Sequence, residues 1–164
     1  NRLMRKLNIA IIGLGNIGSY LFNYLKKNKK ILSKKNNCVP NVIYISAKNK
    51  KKNRGFKISK KIWLDNYLHA TKNKDVDLIV ELIGGAEGPA KKLVFNALKN
   101  KKHVVSANKR NMENRRKNNK NSYCVELFYS AKTAGHSNVD HLFYTIVLSR
   151  SGYYLFPRTV IYQV

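Results

Sequence analysis

Three glycines near the start of the chain have the spacing of a phosphate-binding loop. They lie in the segment Gly13-Leu14-Gly15-Asn16-Ile17-Gly18. In such a loop the first glycine permits a tight turn, the second lets backbone approach a pyrophosphate, and the third lets helix and strand pack closely. The N–H groups of a helix that begins here would face the phosphates. The segment therefore predicts a dinucleotide site, the alternative being a glycine turn without a cofactor.

A second cluster of candidate ligands is basic and begins at Ser46-Ala47-Lys48. Dinucleotide-binding domains that prefer NAD place an acidic residue here for the ribose hydroxyls. This chain has no carboxylate at that point and continues with several cations, namely Lys50, Lys51, Lys52 and Arg54. The pattern favours NADP, with contacts at Ala47 and Lys48 and with Lys48 as the main ligand of the 2′-phosphate. NAD stays possible, and a solvated basic loop that reflects only the general lysine excess is the alternative.

Two further segments would reach the same ligand. The first, Glu81-Leu82-Ile83-Gly84-Gly85, predicts cofactor contacts at Ile83 and Gly84, where backbone could pass beside the nicotinamide ribose. The second is Ser106-Ala107-Asn108-Lys109. A lysine there can orient a carbonyl substrate and stabilise developing negative charge, which makes Lys109 the catalytic candidate. One more surface lysine is the alternative.

Alternating strands and helices must bring these segments to one edge of a sheet. Four apolar runs read as buried parallel strands; they are Leu7–Ile12, Val42–Ser46, Asp77–Ile83 and His103–Ala107. Between them the pattern predicts a helix from about Ile17 to Lys27, a loop through Asn36, Asn37 and Pro40, a short helix over Trp63–Thr71, and a helix with Pro89 in its first turn. This order predicts an α/β fold with a Rossmann-like, doubly wound parallel sheet over residues 1–109.

Residues 110–164 differ in character and are expected to form an atypical C-terminal segment. Residues 110–122 are almost wholly polar, and nothing after Lys109 shows a helical period. Two apolar runs, Tyr123–Tyr129 and Leu142–Leu148, could be strands.

The net charge of +25 invites a nucleic-acid interpretation. The lysines are spread along the whole chain, however, and they accompany a similar excess of asparagine, as A-rich codons would produce. No RNA-binding aromatic signature or recognition helix accompanies them. We therefore expect no specific nucleic-acid partner. The apolar runs are shorter than the ~18 residues of a membrane span, so we expect a soluble protein without a membrane partner. No secretory leader pattern opens the sequence, so we expect the protein in the cytoplasm.

The histidines and cysteines predict structural positions. His69 is expected on a helix surface, His103 at a strand start, and Trp63 in the core or at a sheet edge. Cys38 and Cys124 lie far apart without metal-ligand spacing, which fits a reducing compartment. His136 and His141 also lack ligand spacing, so no metal site is expected.

Four segments, in this order, resemble the N-terminal nucleotide-binding domain of homoserine dehydrogenase. They are Ile9–Gly18, Ile45–Lys50, Asp75–Gly85 and His103–Lys109. The resemblance covers about two thirds of the chain. That family reduces L-aspartate 4-semialdehyde to L-homoserine with NAD(P)H, on the route to threonine and methionine.

The resemblance also implies roles for particular residues. Leu14, Gly15, Asn16 and Ile17 would contact the pyrophosphate. Lys48 stands where the family often has an arginine, which keeps the charge but loses the bidentate fork. Ser106 and Lys109 match the family's T/S-A-N-K segment, which lies near the nicotinamide and the substrate. A homo-oligomer is the family's state.

The chain departs from the family after the Asn-Lys pair. The family continues there with a helix, a strand and a glutamate- and glycine-containing segment that enters the substrate domain, whereas Arg110–Asn114 shows no helical pattern. We expect a truncated or frameshifted product that lacks the substrate domain and turns over little substrate by itself. The alternative is a non-catalytic dinucleotide-binding module or a decayed gene product.

Overall fold

A computed structural model gives the fold of the N-terminal two thirds of the chain. The structure describes residues 4–85 and 87–107, together with the backbone of two strands at 123–126 and 161–163. The predicted strand Leu142–Leu148 and the site residue Lys109 lie outside the described residues.

One mainly parallel sheet organises the described residues. Its strands are β1 (Arg5–Ile12), β2 (Cys38–Ser46), β3 (Leu78–Glu81), β4 (His103–Ser106), β5 (Tyr123–Glu126) and β6 (Ile161–Gln163). Their order is β2-β1-β3-β4-β5-β6, and only the β5–β6 pair among these strands is antiparallel. The predicted Rossmann-like, doubly wound parallel sheet is confirmed.

The sheet extends by a single residue pair beyond β2. Trp63 forms an isolated parallel bridge to Ile45, and the backbone N–H of Leu64 donates to the Ile45 carbonyl at 2.8 Å. If this bridge is counted as a short strand, the strand order becomes that of the dinucleotide-binding fold. In that fold successive strands are added first on one side of β1 and then on its other side. The ligand crevice of such a sheet opens at the carboxyl end of β1.

Helices cover both faces of the sheet. They are α1 (Asn16–Lys27), α2 (Lys29–Asn36), α3 (His69–Lys72) and α4 (Pro89–Lys99). Side chains of β1 alternate between two apolar clusters. Ile9 and Ile11 pack with Leu21 and Leu25 of α1, whereas Ala10 and Ile12 belong to the cluster of α4. Burial on both faces explains why the strands read as continuous apolar runs.

The region between α1 and β2 differs from the prediction. The expected loop through Asn36, Asn37 and Pro40 is instead the helix α2 followed directly by β2. Asn37 ends α2 in the left-handed conformation, with φ of 49°, which asparagine tolerates better than most residues. Pro40 is accommodated because β2 lies near the sheet edge, where a missing N–H need not face a partner.

The predicted helix Trp63–Thr71 is wrong over residues 63–68. Lys60–Ile62 form a 3-10 turn, Trp63 is extended in its bridge to Ile45, and helix α3 begins only at His69. The exposed position of His69 and the strand start at His103 are confirmed.

The structure describes part of the C-terminal segment as well. The predicted strand over Tyr123–Tyr129 is observed as β5 for Tyr123–Glu126, and it pairs with β4. Strand β6 was not predicted from the sequence. The division of the chain at residue 109 stays a prediction.

Candidate dinucleotide site

The glycine loop, residues 13–18, is packed at the carboxyl end of β1. Gly13 has φ of +107°, and its N–H donates to the Ser46 carbonyl at 2.8 Å. A Cβ at Gly13 would collide with the backbone of Leu82 and Ile83. The ends of β1, β2 and β3 therefore meet at this residue, which brings the predicted Ala47 and Ile83 segments next to the glycine loop.

Gly18 makes the second close approach. It is buried in the first turn of α1, and a Cβ there would overlap the Gly13 carbonyl oxygen. The helix can begin this close to the strand only because the side chain is absent. The sequence-based interpretation of the first and third glycines is thus supported by contacts within the described residues.

Gly15 has a different environment. A Cβ on Gly15 would have no described atom within 4 Å, and the residue is exposed. It is the N-cap of α1, and no side chain caps the helix or places an acidic group in its first turn. The first N–H groups of a helix lack intrahelical partners and carry a partial positive charge, so this open face fits a phosphate.

The lysine-rich loop, residues 47–59, follows β2. Ala47 is half-buried and Lys48 is exposed. Lys48 takes part in none of the hydrogen bonds or ion pairs seen in the described part of the chain. Its ammonium group is therefore available to an anion.

Arg54 of this loop lies against the glycine loop. Its Nε donates to the Leu14 carbonyl oxygen at 3.2 Å. Its two terminal nitrogens donate to the carbonyls of Lys52 at 2.9 Å and Asn49 at 2.6 Å. Arg54 was predicted among the cations for a 2′-phosphate, and the residue types carry no signal for these backbone contacts.

Lys50 also has a protein partner. Its Nζ lies 2.8 Å from Asp65 Oδ1 and 5.5 Å from the centre of the Trp63 ring. The hydrogen bond and the charge of Lys50 lower the pKa of the Asp65 carboxyl. Asp65 is a carboxylate near the lysine-rich loop that residue types and spacing did not predict as a partner, because it lies 15 residues from Lys50 in the chain.

Cations and aromatic rings of this loop, together with Lys60 and Trp63 just after it, line an open pocket of about 240 Å³. Its lining consists of Lys50, Lys52, Arg54, Phe56, Ile58, Lys60 and Trp63. Of the two positions predicted for Trp63, the core or a sheet edge, its half-buried position and its bridge to β2 agree with the edge.

A buried carboxylate joins the ends of β3 and β4. Glu81 is fully buried; its Oε1 accepts from the Ile83 N–H at 2.7 Å, and its Oε2 accepts from the Ser106 hydroxyl at 2.5 Å. The Ala107 N–H donates to the Glu81 carbonyl at 3.1 Å. Two predicted site residues, Ile83 and Ser106, are thus held by Glu81, which sequence reasoning had not singled out.

Most of the predicted site residues meet at one end of the sheet. Gly13 to Gly18, Ala47 and Ile83 lie around the end of β1, and Ser106 is connected to Ile83 through Glu81. Gly84 is exposed with φ of +81° directly after Ile83. Lys109, the catalytic candidate, lies outside the described residues. The assignment of each residue to a cofactor contact stays a prediction.

Comparison with known proteins gives the family. Residues 13–138 match the family model described as homoserine dehydrogenase, NAD-binding domain. The chain belongs to the homoserine dehydrogenase family. The expected resemblance is confirmed, and the matched domain binds a nicotinamide dinucleotide.

Individual relatives match the same part of the chain. Homoserine dehydrogenase of Bacillus subtilis is 29% identical over 106 residues, which are 65% of this chain and 24% of the relative. That of Pseudomonas aeruginosa is 36% identical over 108 residues, or 65% and 24%. The chain thus spans about a quarter of the length of the curated relatives it matches.

Solved structures show the same correspondence. A crystal structure of Staphylococcus aureus homoserine dehydrogenase at pH 7.5 superposes with a TM-score of 0.59 at 34% identity, covering 65% of this chain and 27% of that one. The Thiobacillus denitrificans enzyme gives 0.58 at 30% identity, covering 64% and 24%.

The described residues contain no cluster of three or more His, Cys, Asp or Glu side chains that could hold a metal ion. No helix in this part of the chain has the length and apolar character needed to cross a membrane.

Proposed function

We propose that this homoserine dehydrogenase domain binds NADP(H) in preference to NAD(H). The observation that carries the proposal is the combination of an open, uncapped helix N-terminus at Gly15 with an exposed lysine directly after β2. The first fits a pyrophosphate, and the second supplies a cation where NAD-preferring domains have a carboxylate. NAD is the weaker ligand in this account.

The preference rests mainly on one side chain. Arg54 already donates to three carbonyls, and Lys50 is paired with Asp65. Lys48 directly follows β2, where NAD-preferring domains have their carboxylate, and its ammonium group has no partner in the described part of the chain, so it is the cation best suited to a 2′-phosphate. A lysine offers a point charge without a bidentate fork, so we expect a preference of moderate size.

The proposed reaction is the reduction of L-aspartate 4-semialdehyde to L-homoserine, a step of threonine and methionine biosynthesis. NADPH would transfer a hydride to the aldehyde carbon, and the alkoxide oxygen that results would take up a proton. Gly15, Asn16 and Ile17 would hold the pyrophosphate, and Ile83 and Gly84 would border the nicotinamide ribose. Lys109 would orient the carbonyl group of the substrate.

Turnover by these 164 residues alone is expected to be small. They correspond to about a quarter of the length of the relatives, and the substrate domain implied by the family falls in the remaining part. We therefore propose that this chain alone is a dinucleotide-binding module with weak activity or none. The family's homo-oligomeric state stays a prediction for this chain.

Titration of the chain with NADPH and NADH, followed by nicotinamide fluorescence, tests the cofactor proposal. We expect NADPH to bind about tenfold more tightly, a difference of ~1.4 kcal/mol. Lys48→Ala should remove most of this difference and leave the affinity for NADH unchanged.

Lys99→Ala is the matched control for Lys48→Ala. Lys99 is an exposed lysine at the C-terminal end of α4, which leads into β4, on the other side of β1 from β2. Lys99→Ala should change the affinities for NADPH and NADH only slightly and equally, because it removes one positive charge far from the site. Equal affinities of the wild-type chain for NADPH and NADH would contradict the NADP preference.

Turnover is measured separately, by NADPH absorbance with aspartate semialdehyde. Robust turnover by the 164 residues would contradict the proposal of a weak or inactive module. Binding of a nucleic acid that persists at physiological salt, together with no binding of either nicotinamide dinucleotide, would favour a basic nucleic-acid-binding protein instead.

A further inference from the structure

Arg54 joins two loops that are distant in the sequence. Its Nε donates to the carbonyl of Leu14, 40 residues away, in the middle of the glycine loop. Its terminal nitrogens donate to Asn49 and Lys52 within its own loop. One guanidinium thus links the glycine loop to the lysine-rich loop.

The contact with Leu14 is well placed to control the glycine loop. Leu14 is only 3% exposed and lies between the tight turn at Gly13 and the open position at Gly15. Its carbonyl oxygen is otherwise approached by the Ser19 hydroxyl at 3.4 Å, a long hydrogen bond. Arg54 therefore makes the shorter of the two contacts and fixes the orientation of this peptide group.

The environment of Arg54 restrains its side chain. The residue is half-buried, and its Cζ lies 5.9 Å from the centre of the Trp63 ring, within the range of a cation–π interaction. A planar guanidinium can hold several carbonyl oxygens at fixed angles, which a flexible ammonium group cannot do.

We infer that Arg54 is a positioning residue that fixes the spacing between the pyrophosphate-binding and ribose-binding loops. This inference rests on the proposed function, since it assumes that both loops bind one dinucleotide. Arg54 then raises the affinity for NADP and for NAD by the same factor. Discrimination between the two cofactors is left to Lys48.

The role differs from that of a phosphate ligand. A 2′-phosphate ligand interacts only with NADP, so its removal would weaken NADP binding alone. A residue that positions the loops acts on the parts that NADP and NAD share. The ratio of the two dissociation constants distinguishes the roles.

The test uses Arg54→Lys and Arg54→Gln in the full chain, titrated with NADP⁺ and with NAD⁺. Both dissociation constants should rise by the same factor, about tenfold, as expected for the loss of one or two hydrogen bonds made by a charged group. Arg54→Lys should recover little of the affinity although it keeps the charge. Selective loss of NADP⁺ binding, or no change in either constant, would overturn the inference.

Lys57→Gln is the control for charge. Lys57 is an exposed cation of the same loop, and its replacement should weaken both affinities far less than Arg54→Gln does. Similar losses in the two variants would show that charge alone explains the effect. Retained circular dichroism and thermal unfolding would show that the Arg54 variants are folded.

A measurement without cofactor separates this inference from the proposed function. Amide hydrogen exchange in the ligand-free chain should be faster in Arg54→Gln than in wild type at Gly13 and Ser19, whose N–H groups donate to the carbonyls of Ser46 and Gly15, because the Leu14 peptide between them is no longer held. Unchanged exchange would overturn the positioning role even if NADP⁺ binds. Faster exchange in a chain that binds neither dinucleotide would contradict the proposed function instead.

Discussion

The glycine loop and the lysine-rich loop meet at the same end of the sheet, but they are held by different forces. Backbone contacts fix the glycine loop so tightly that side chains at Gly13 and Gly18 would overlap neighbouring main-chain atoms. The lysine-rich loop is mostly exposed and is connected to the glycine loop by the hydrogen bond from Arg54.

The difference separates two aspects of dinucleotide recognition. Close packing determines where the first turn of α1 begins and so where its N–H groups point. Exposed cations determine which charges surround a ribose, and they can change without repacking the core. Shape at the pyrophosphate is thus expected to tolerate little variation, whereas charge at the ribose can be altered by single substitutions.

Gly18→Ala should have the largest effect on stability, because it places a side chain in the tightly packed glycine loop. Its new methyl group would overlap the Gly13 carbonyl oxygen, and the helix would have to move away from the strand. We expect a loss of about 3 kcal/mol or more in the free energy of unfolding, measured by urea denaturation. A loss below about 1 kcal/mol would contradict the described packing.

Ser106→Ala should have the next largest effect. It removes a hydroxyl donor from the fully buried Glu81, and a buried acceptor that loses its partner costs about 1–3 kcal/mol. Urea denaturation of Ser106→Ala, Glu81→Gln and the double variant would measure this effect. Additive losses, with no coupling between the two sites, would count against a bond that orders the ends of β3 and β4.

Gly15→Ala separates binding from stability at the glycine loop. The alanine methyl group meets no described atom within 4 Å, so the free energy of unfolding should change by less than about 1 kcal/mol. Because this position faces the expected pyrophosphate, affinity for NADP⁺ and NAD⁺ should fall about tenfold. Calorimetric titration measures both constants, and unchanged affinities would place the pyrophosphate elsewhere.

Asp65→Asn should have the smallest effect and acts on charge alone. It removes the carboxylate that pairs with Lys50, leaving the ammonium group free to attract a 2′-phosphate. Since the pair is exposed, we expect only about a twofold increase in NADP⁺ affinity, with NAD⁺ affinity unchanged. An equal change for both cofactors would show that Asp65 does not act through the 2′-phosphate.

The sequence allowed prediction wherever local pattern and fold agree. Strands β1 and β3 were predicted because burial on both sheet faces requires continuous apolar runs. The start of α4 was predicted because proline is favoured in the first turn of a helix. Helix α2 was missed because its polar, lysine-rich residues give a weak apolar period, and Pro40 suggested a turn.

Site features formed by distant residues were not predicted. The Arg54–Leu14 hydrogen bond, the Lys50–Asp65 ion pair and the Glu81–Ser106 bond join residues 15 to 40 positions apart. Such contacts depend on loop conformation and strand register, and residue types alone do not encode them. The positions of Gly13 and Gly18 were predicted correctly because their role is steric and depends on local spacing.

The most direct test of this account is the ¹⁵N–¹H spectrum of the full chain during titration with NADP⁺ and, separately, with NAD⁺. We predict that NADP⁺ shifts the amide signals of both Gly13–Gly18 and Ala47–Lys52. NAD⁺ should shift the first group to a similar extent and the second group less. Shifts confined to one loop with NADP⁺, or shifts outside both loops, would contradict the claim that these two loops bind one dinucleotide.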